Sequence, residues 1–331
     1  MLAEIRLGSL KSANLADVLL WAACKNAVAR LMIENLSIII VTWRRDDLLE
    51  GCLRSLYNVY SLKPEIVVVD NGGASTTRRL CAQYKNVKYI SSAVNLGYAG
   101  GNVVGLKYCT RDFVLLLNND TIVHSDSFSP LMDFLVENKN VGVVQGTMNR
   151  PFYGNTLDAC GYYMNWFGAL REYHINEPTS SEIGTYKCVA VKGAMLMFPR
   201  NLLKSVVGPL FYPHFVCNYE EVDFCLRVQK AGYECYFVPT EPIDHLCGQS
   251  LAMVKSSAMK KRSLANGMFS FFTLFPMAKG CIFVLFMMAR AIRELLLGRA
   301  EAMVVFCGAF RITFRERNRI LVTRRRFARK C

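Results

Sequence analysis

The chain has 331 residues, of which 52% are hydrophobic, and this length can bury one large core or two smaller ones. Its 13 cysteines are odd in number and include no Cys-x-x-Cys pair, which excludes a complete disulfide framework and favours a reducing compartment. The formal net charge of +14 resides entirely in residues 251–331, which hold 17 Lys and Arg against 3 Asp and Glu.

The chain begins with a predicted helical extension and then alternates between strands and helices. Residues 1–35 carry a loosely amphipathic pattern typical of a helix. Leu36–Val41 and Glu65–Val69 are short apolar runs typical of buried strands, and Leu48–Tyr60 between them has helical spacing. This order predicts a βαβ unit with parallel strands and a right-handed crossover.

The alternation continues with a helix, a short strand and a glycine-rich turn. We predict a helix over Thr76–Tyr84, a strand over Val87–Ile90 and, after a turn from Asn95 to Asn102, a helix through Tyr108. The turn reads NLGYAGGN, and its glycines would let the backbone come close to a ligand. It matches neither the P-loop nor the dinucleotide-binding pattern.

Polar turns follow two of the predicted strands. Phe113–Leu117 runs directly into Asn118–Asp120, and the second strand runs into Asp70-Asn71. Because parallel strands of an open α/β sheet end at one edge, these groups should meet where such sheets bind ligands. Each turn could also be a purely local Asx turn. A nucleotide-diphosphate site without a P-loop needs another positive charge, which a divalent cation on Asp120 would supply.

Five segments in this order resemble the motifs of family 2 glycosyltransferases. They are VVVDNGG, NLGYAGGN, LLNND, the acidic cluster at Glu220–Asp223 and His245, and the rhamnosyltransferase-like branch is the most similar. The resemblance covers residues 36–250 and implies an α/β GT-A fold, which is Rossmann-like with a mostly parallel central sheet flanked by helices. The chain therefore divides into a helical extension (1–35), a GT-A catalytic domain (36–250) and a basic tail (251–331).

The resemblance also assigns a catalytic role to the acidic cluster, and a purely structural role is the alternative. Glu221 occupies the family's catalytic-base position, and Glu220 is the alternative base because it shares a helix face with Asp223. Alternatively, Asn218 and Glu221 form a capping box, and the carboxylates only complement the helix dipole.

The remaining site residues follow from the strand-end motifs and the resemblance. Asp120 would bind Mg²⁺ or Mn²⁺, and His245 lies where GT-A enzymes often supply a further metal or pyrophosphate contact. Gly193 matches the glycine, in the predicted strand Val189–Phe198, that lets substrate approach. The predicted donor-binding residues are Thr42, Asp70, Asn71, Asn95, Gly97, Asn102, Asn118, Asn119 and Gly193.

Two departures from the family pattern bear on metal and acceptor binding. The metal motif begins with Asn118 where the family has Asp, which leaves one carboxylate and weaker predicted metal binding. After Gly208 the family commonly has an Asp-Glu pair near the acceptor, whereas this chain has residues 211–214, reading FYPH. The sequence therefore leaves the acceptor open.

The basic tail predicts contact with a membrane. Met268–Ala289 is long enough to span a bilayer, but Pro276, Lys279 and Gly280 interrupt it. We favour helices that lie on an anionic membrane surface, which places the protein at the cytoplasmic face as a peripheral or monotopic protein. A spanning hairpin and packing on the enzyme's own core are the alternatives.

The combined prediction is a metal-dependent, inverting glycosyltransferase. It would move a sugar from a nucleotide-diphosphate donor to a hydroxyl of a glycan acceptor, carried on a polyprenyl lipid, in cell-surface polysaccharide or glycoconjugate synthesis. A catalytically silent homologue that scaffolds a glycan-assembly complex is one alternative. A nucleic-acid-binding protein is another, but the tail mixes its charge with apolar runs, so no nucleic-acid partner is predicted.

Overall fold

The computed structural model describes residues 33–61, 63–215, 218–247 and 256–328. The predicted N-terminal helical extension therefore lies almost entirely outside the described residues. An eight-stranded mixed sheet forms the centre of the fold. Its strands, from one edge to the other, are Tyr186–Cys188 (β11), Glu234–Phe237 (β13), Val141–Gln145 (β6), Met195–Pro199 (β12), Phe113–Asn118 (β4), Leu36–Thr42 (β1), Glu65–Asp70 (β2) and Val87–Ser91 (β3).

Helices cover both faces of this sheet. On β1, Ile38 and Ile40 point into one buried cluster and Ile39 into the other, which explains why the strand is apolar at every position. The predicted bounds of the first four strands agree with the structure to within one residue. Among the residues described up to 230, the covering helices are Asp46–Tyr60 (α1), Ser75–Cys81 (α2), Gly97–Leu106 (α3), Ser129–Glu137 (α4) and Glu220–Lys230 (α5).

The sheet is less parallel than predicted. Strands β4, β1, β2 and β3 are parallel, as the βαβ pattern indicates. However, β12 lies antiparallel between β4 and β6, and β11 is antiparallel to β13. The predicted strand Val189–Phe198 is correspondingly shorter, because a turn at Gly193 and Ala194 precedes Met195–Pro199. Hydrophobicity marks a buried strand without giving its direction, so the sequence could not distinguish these cases.

The glycine-rich motif serves helix packing more than ligand approach. Gly101 and Gly105 lie on α3, where an added Cβ would stand 2.5 Å from Val41 Cγ1 and 2.5 Å from Ile39 Cγ2 respectively. Both separations are far below van der Waals contact, so only glycine lets α3 lie this close to β1. Gly97, at the start of the helix, has a φ of +67°, which glycine adopts without strain.

A small second sheet lies beside the end of β4. Its strands, in spatial order, are Thr121–Ile122 (β5), Ile243–His245 (β14), Met148–Arg150 (β7) and Thr156–Leu157 (β8). Strand β14 is antiparallel to β5 and places His245 opposite Thr121. His245 therefore lies at the end of a strand. A separate hairpin pairs Tyr162–Met164 (β9) with Leu170–Glu172 (β10).

Among the described residues after 247, four helices follow the sheets: Ser257–Leu274 (α6), Met277–Leu296 (α7), Glu301–Arg315 (α8) and Arg317–Ala328 (α9). The break before Pro276 divides the long apolar segment between α6 and α7. Within the described ranges, no helix combines the length and the apolar character needed to cross a membrane. Phe269 and Leu274 on α6, and Phe327 on α9, belong to the same buried cluster as the central sheet. Packing on the protein's own core therefore accounts for part of the tail.

The carboxylate of Glu65, on β2, links β2 to the neighbouring strands β1 and β3. Its carboxylate accepts hydrogen bonds from Ser37 Oγ (2.6 Å), Lys88 Nζ (2.5 Å) and the backbone nitrogen of Thr110 (2.8 Å). Burial alone would raise the pKa of Glu65, but these donors outweigh it and lower the pKa to about 2. The carboxylate therefore stabilises the fold above its ordinary pKa of 4.5, and this contribution is lost as the pH falls towards 2.

We expect Glu65→Gln to lower the free energy of unfolding by about 2 kcal/mol at neutral pH. The difference from the native chain should narrow in acid, which urea unfolding curves at neutral and acidic pH would measure. Glu234→Gln is the matched control, because Glu234 pairs with the exposed Lys187 and surface ion pairs contribute little. An equal loss in both variants would contradict this account of Glu65.

Candidate active site

The strand-end motif after β4 is held against the end of β1. Asn119 Nδ2 donates a hydrogen bond to Thr42 Oγ1 at 3.1 Å, and both side chains are buried. Asp120, the next residue, is buried as well, and its carbonyl oxygen accepts the backbone nitrogen of Leu246 at 2.9 Å. Three predicted site residues are thus adjacent at the carboxyl edge of the parallel strands, as the βαβ pattern predicts.

His245 faces this motif through one ring nitrogen. Its Nε2 lies 3.4 Å from Asp120 Oδ1 and 3.3 Å from Asn118 Nδ2. The pairing of β14 with β5 produces this contact between residues more than 120 positions apart. The structure therefore brings together the two predicted metal ligands, Asp120 and His245, and the asparagine that replaces the family's first carboxylate.

The other ring nitrogen of His245 contacts Asp158, which the sequence analysis did not identify. Nδ1 and Asp158 Oδ2 are 2.6 Å apart, and the Lys192 ammonium forms an ion pair with Asp158 Oδ1. Burial alone would raise the pKa of Asp158, but His245 and Lys192 hold it well below its ordinary range. Burial lowers the pKa of His245, whereas hydrogen bonds to Asp120 and Asp158 outweigh this and raise it well above its ordinary value.

Asp158 and Lys192 carry little sequence signal. Asp158 follows the two-residue strand β8 in a stretch without hydrophobic periodicity. Lys192 is a single charged residue beside Gly193, one of the predicted donor-binding residues. Lys192 is fixed by its backbone nitrogen, which donates to the buried Gln145 Oε1 at 2.7 Å. Only the fold shows that these residues face His245.

The acidic helix α5 begins without the predicted capping box. Its N-cap is Tyr219, with a φ of +78°, and no side chain caps the helix. Asn218 is also left-handed, and its carbonyl oxygen accepts Asn266 Nδ2 from α6 at 2.9 Å. The capping-box alternative is therefore wrong, because the incoming backbone turns too sharply for the Asn218 side chain to reach the first helical turn.

The three acids of α5 have different surroundings. Glu220 is buried, and its Oε2 has no hydrogen-bond partner within the described ranges. Burial, and then the charge of Glu221, raises the pKa of Glu220 well above its ordinary value. Burial also raises the pKa of Glu221, although backbone donors and Lys192 oppose part of the rise.

Asp223 is committed to internal contacts. Its Oδ2 accepts Arg227 Nε at 2.7 Å, and its Oδ1 accepts the Ser270 hydroxyl of α6 at 2.7 Å. The Arg227 guanidinium also donates to the carbonyl oxygens of Pro209 and Leu210, each at 2.7 Å. Asp223 therefore ties α5 to the preceding loop and to α6, with both carboxylate oxygens occupied.

The predicted donor-binding residues around β2 form connected turns. Asp70 accepts the backbone nitrogens of Gly72 (2.8 Å) and Ala74 (2.7 Å), so it shapes the turn after β2. Asn71 Nδ2 donates to the Gly97 carbonyl at 3.0 Å. In turn, the Gly97 nitrogen donates to Asn95 Oδ1 at 2.9 Å.

Two further predicted residues lie near the acidic helix. Tyr98 donates its hydroxyl to the Gly193 carbonyl, and a Cβ at Gly193 would approach that hydroxyl to 3.2 Å. Burial, and then the charges of Glu220 and Glu221, raises the pKa of Tyr98 well above its ordinary value. Asn102 donates to the Tyr98 carbonyl at 3.0 Å, and its buried Oδ1 has no partner in the described part of the chain.

Comparison with known proteins defines the class of protein to which this chain belongs. Residues 37–204 match the family described as Glycosyl transferase family 2. The low-salt glycan biosynthesis hexosyltransferase Agl10 of Haloferax volcanii is 26% identical over 260 residues, covering 75% of this chain and 80% of that protein. The rhamnosyltransferase WbbL of Escherichia coli is 24% identical over 218 residues, covering 61% of this chain and 80% of that protein.

A solved structure supports the same fold. The mannosyltransferase PcManGT of Pyrobaculum calidifontis, in complex with GDP-Man and Mn²⁺, superimposes with a TM-score of 0.50 at 16% identity, covering 89% of this chain and 86% of the other. The fold and the sequence matches define a glycosyltransferase with a GT-A-like α/β architecture. Because the family match spans about half of the chain, the protein belongs to glycosyl transferase family 2.

The residues at the carboxyl edge are suited to a divalent cation. Asp120 offers a carboxylate oxygen and His245 offers Nε2 on the same side, 3.4 Å apart. His245 donates a hydrogen bond from Nδ1 to Asp158, and in the neutral ring this leaves the lone pair of Nε2 free for a cation. This carboxylate–histidine arrangement is typical of metal sites.

Proposed function

We propose that the protein is an inverting, metal-dependent glycosyltransferase of glycan or polysaccharide biosynthesis. It transfers a sugar from a nucleotide-diphosphate donor to a hydroxyl of a glycan acceptor. One observation carries the proposal: a continuous polar chain joins Asp120, His245, Asp158 and Lys192 at the carboxyl edge of the parallel strands.

Different residues would bind the metal ion and act as the catalytic base. Asp120 and His245 would hold Mg²⁺ or Mn²⁺, and the cation would neutralise charge on the diphosphate leaving group. Glu221 accepts the proton of the acceptor hydroxyl as that oxygen attacks C1 of the donor sugar. Glu220 is the weaker candidate, because its side chain is buried and both this burial and the charge of Glu221 raise its pKa. A single displacement with one base inverts the anomeric centre.

Donor binding uses the turns at the ends of β1, β2 and β4. The nucleotide base lies against Thr42 and Asp70-Asn71, close to the Asn118–Asn119 pair that follows β4. The contact between Asn119 and Thr42 and the bonds from Asp70 to its own turn hold these groups in place before a donor arrives. Metal-dependent hydrolysis of a nucleotide-sugar by the purified protein would separate this enzyme from a silent scaffold.

A cavity next to the acidic helix suits a lipid-linked acceptor. It has a volume of about 900 Å³ and reaches from Asn218 and Tyr219, which precede Glu220, to helices α6, α7 and α8. Its interior walls include the apolar side chains of Leu264, Met287 and Phe306. Cationic side chains at Lys260, Arg290 and Arg299 also line it. Lys260 and Arg299 form ion pairs with Glu301 and Glu294, and the exposed Arg290 supplies a cation for the phosphate groups of a polyprenyl chain in this cavity.

We expect Ala302→Phe, which fills this cavity, to reduce sugar transfer to a polyprenyl-linked acceptor by at least about tenfold, while Mn²⁺-dependent donor hydrolysis persists. The bulky ring would exclude the acceptor without touching the donor side. Ala300→Phe, two residues away on the exposed surface, is the matched control. Equal rates of transfer by both variants would contradict the proposal that the acceptor lipid binds in this cavity.

An exposed apolar stripe on α7 supports contact with a membrane surface. Ile282, Leu285, Ile292 and Leu296 are exposed, and they recur at intervals of three, four or seven residues on one helix face. Exposed cations on α9, such as Arg325 and Arg326, accompany them. Each such cation contributes about 1 kcal/mol near an anionic bilayer. We therefore place the protein at the cytoplasmic face of the membrane, as a peripheral or monotopic protein.

Sedimentation with anionic vesicles tests this placement. We expect the native chain to sediment, and Ile282→Gln, Leu285→Gln and Ile292→Gln combined to release it. Val94→Gln with Val136→Gln, at exposed positions of the catalytic core, should not release it. Arg324 is unsuited to charge reversal, because it donates to the Phe272 and Phe275 carbonyls at 3.0 and 2.6 Å. A native chain that stays in the supernatant would contradict membrane binding.

A further inference from the structure

His245 presents its two ring nitrogens to two different sets of ligands. Nε2 faces Asp120 and Asn118, where the proposed donor-side cation binds. Nδ1 faces away from that site, towards Asp158 Oδ2 at 2.6 Å and Cys247 Sγ at 3.2 Å. A second group of ligand atoms, from Asp158, His245 and Cys247, therefore lies behind the first.

This second group has the geometry of a small chelate. The carboxylate oxygen of Asp158, Nδ1 of His245 and the sulfur of Cys247 lie within 4.8 Å of one another, and sulfur and oxygen are 3.7 Å apart. Tetrahedral zinc with bonds of about 2.0–2.3 Å places its ligand atoms about 3.3–3.7 Å from each other. The sulfur–oxygen distance already lies in this range, whereas the 2.6 Å between Nδ1 and Asp158 Oδ2 must open by about 0.7 Å to enclose such an ion.

The ligand types distinguish this group from the donor-side site. Thiolate sulfur and imidazole nitrogen favour zinc, whereas Mg²⁺ and Mn²⁺ prefer carboxylate, carbonyl and water oxygens. Asp158 and His245 are buried, and the thiol is half-buried, so a cation can enter from the Cys247 side. Three protein ligands leave a fourth position for water, as in zinc sites that exchange their ligands.

We propose that Asp158, His245 and Cys247 form an inhibitory zinc site. Zinc bonds to Nδ1, to the Asp158 carboxylate and to the Cys247 thiolate, and the thiol proton leaves to solvent. Zinc at Nδ1 displaces the proton there to solvent, and the neutral ring then carries its one proton on Nε2. Nε2 then points an N–H group at Asp120 and cannot bind the donor-side cation. Zinc at Nδ1 and the donor-side cation at Nε2 therefore exclude each other.

Cobalt provides a probe that does not depend on catalysis, so its outcome is separate from that of the proposed function. Full-length protein titrated with Co²⁺ should bind one equivalent with a thiolate-to-cobalt charge-transfer band, and Zn²⁺ should displace it. Cys247→Ser should abolish the band. Cys281→Ser is the matched control, because Cys281 is an exposed thiol on α7, and it should keep the band.

A second variant tests the same site without altering sulfur. Asp158→Asn should raise the zinc Kd by at least about tenfold, since even the outer partners of metal ligands contribute that much. In the native chain, one equivalent of zinc should also weaken Mn²⁺ binding, measured by Mn²⁺ electron paramagnetic resonance, and Cys247→Ser should remove this effect. A native chain without the cobalt band, or a band unchanged in Cys247→Ser, would overturn the proposal.

Discussion

Replacing Asp120 by asparagine is expected to lower kcat by at least about 100-fold while the fold stays intact. Asp120 is the only carboxylate of the strand-end motif, and its oxygen lies 3.4 Å from His245 Nε2. Loss of such charge stabilisation costs about 2.7 kcal/mol or more in the transition state. Initial rates of sugar transfer over a Mn²⁺ series would measure the loss, and urea unfolding would show that the fold persists.

Asp244→Asn is the matched control for this experiment. Asp244 precedes His245 on β14, but its oxygens bind His124 (2.8 Å) and Asn149 (2.7 Å) on the outside of the small sheet. The same loss of charge, one residue from the site, should leave the metal dependence unchanged. Near-normal activity of Asp120→Asn, together with insensitivity to EDTA, would show that the reaction does not use a cation at this position.

Glu221→Gln should lower kcat by about 10²–10⁴-fold with little change in donor binding, because a general base acts on the transition state. Its raised pKa adds a signature: the acidic limb of the native pH–rate profile should lie above the ordinary pKa of 4.5. Steady-state kinetics over a pH series, with donor affinity measured separately by calorimetry, would separate the two effects.

Glu220→Gln is the paired comparison for Glu221→Gln. Burial and the charge of Glu221 favour the neutral form of Glu220, which glutamine resembles, so transfer should fall far less. A raised pKa also means that the native chain loses stability as the pH rises through that value, whereas the variant should not. A larger loss of kcat in Glu220→Gln than in Glu221→Gln would move the base to Glu220.

The sequence by itself determined the elements of the first half of the fold. The runs at β1, β2 and β4 are apolar at almost every position because both sheet faces are covered, and this local pattern is sufficient to place them. Motif order was sufficient to predict the family and to locate the strand-end residues Asn118–Asp120. Pro276 likewise marks the break between α6 and α7, because proline lacks the backbone donor that a continuous helix requires.

Only the tertiary structure decided which side chains meet. His245 reaches Asp120 through the pairing of β14 with β5, and Asp158 and Lys192 join them from two other loops. The antiparallel direction of β12 and the bond from Ser270 to Asp223 are also contacts between distant segments. Sequence periodicity reports whether a residue is buried, but not which partner it faces. The energies that orient an imidazole or select a strand direction come from those partners, and the chain brings them together only on folding.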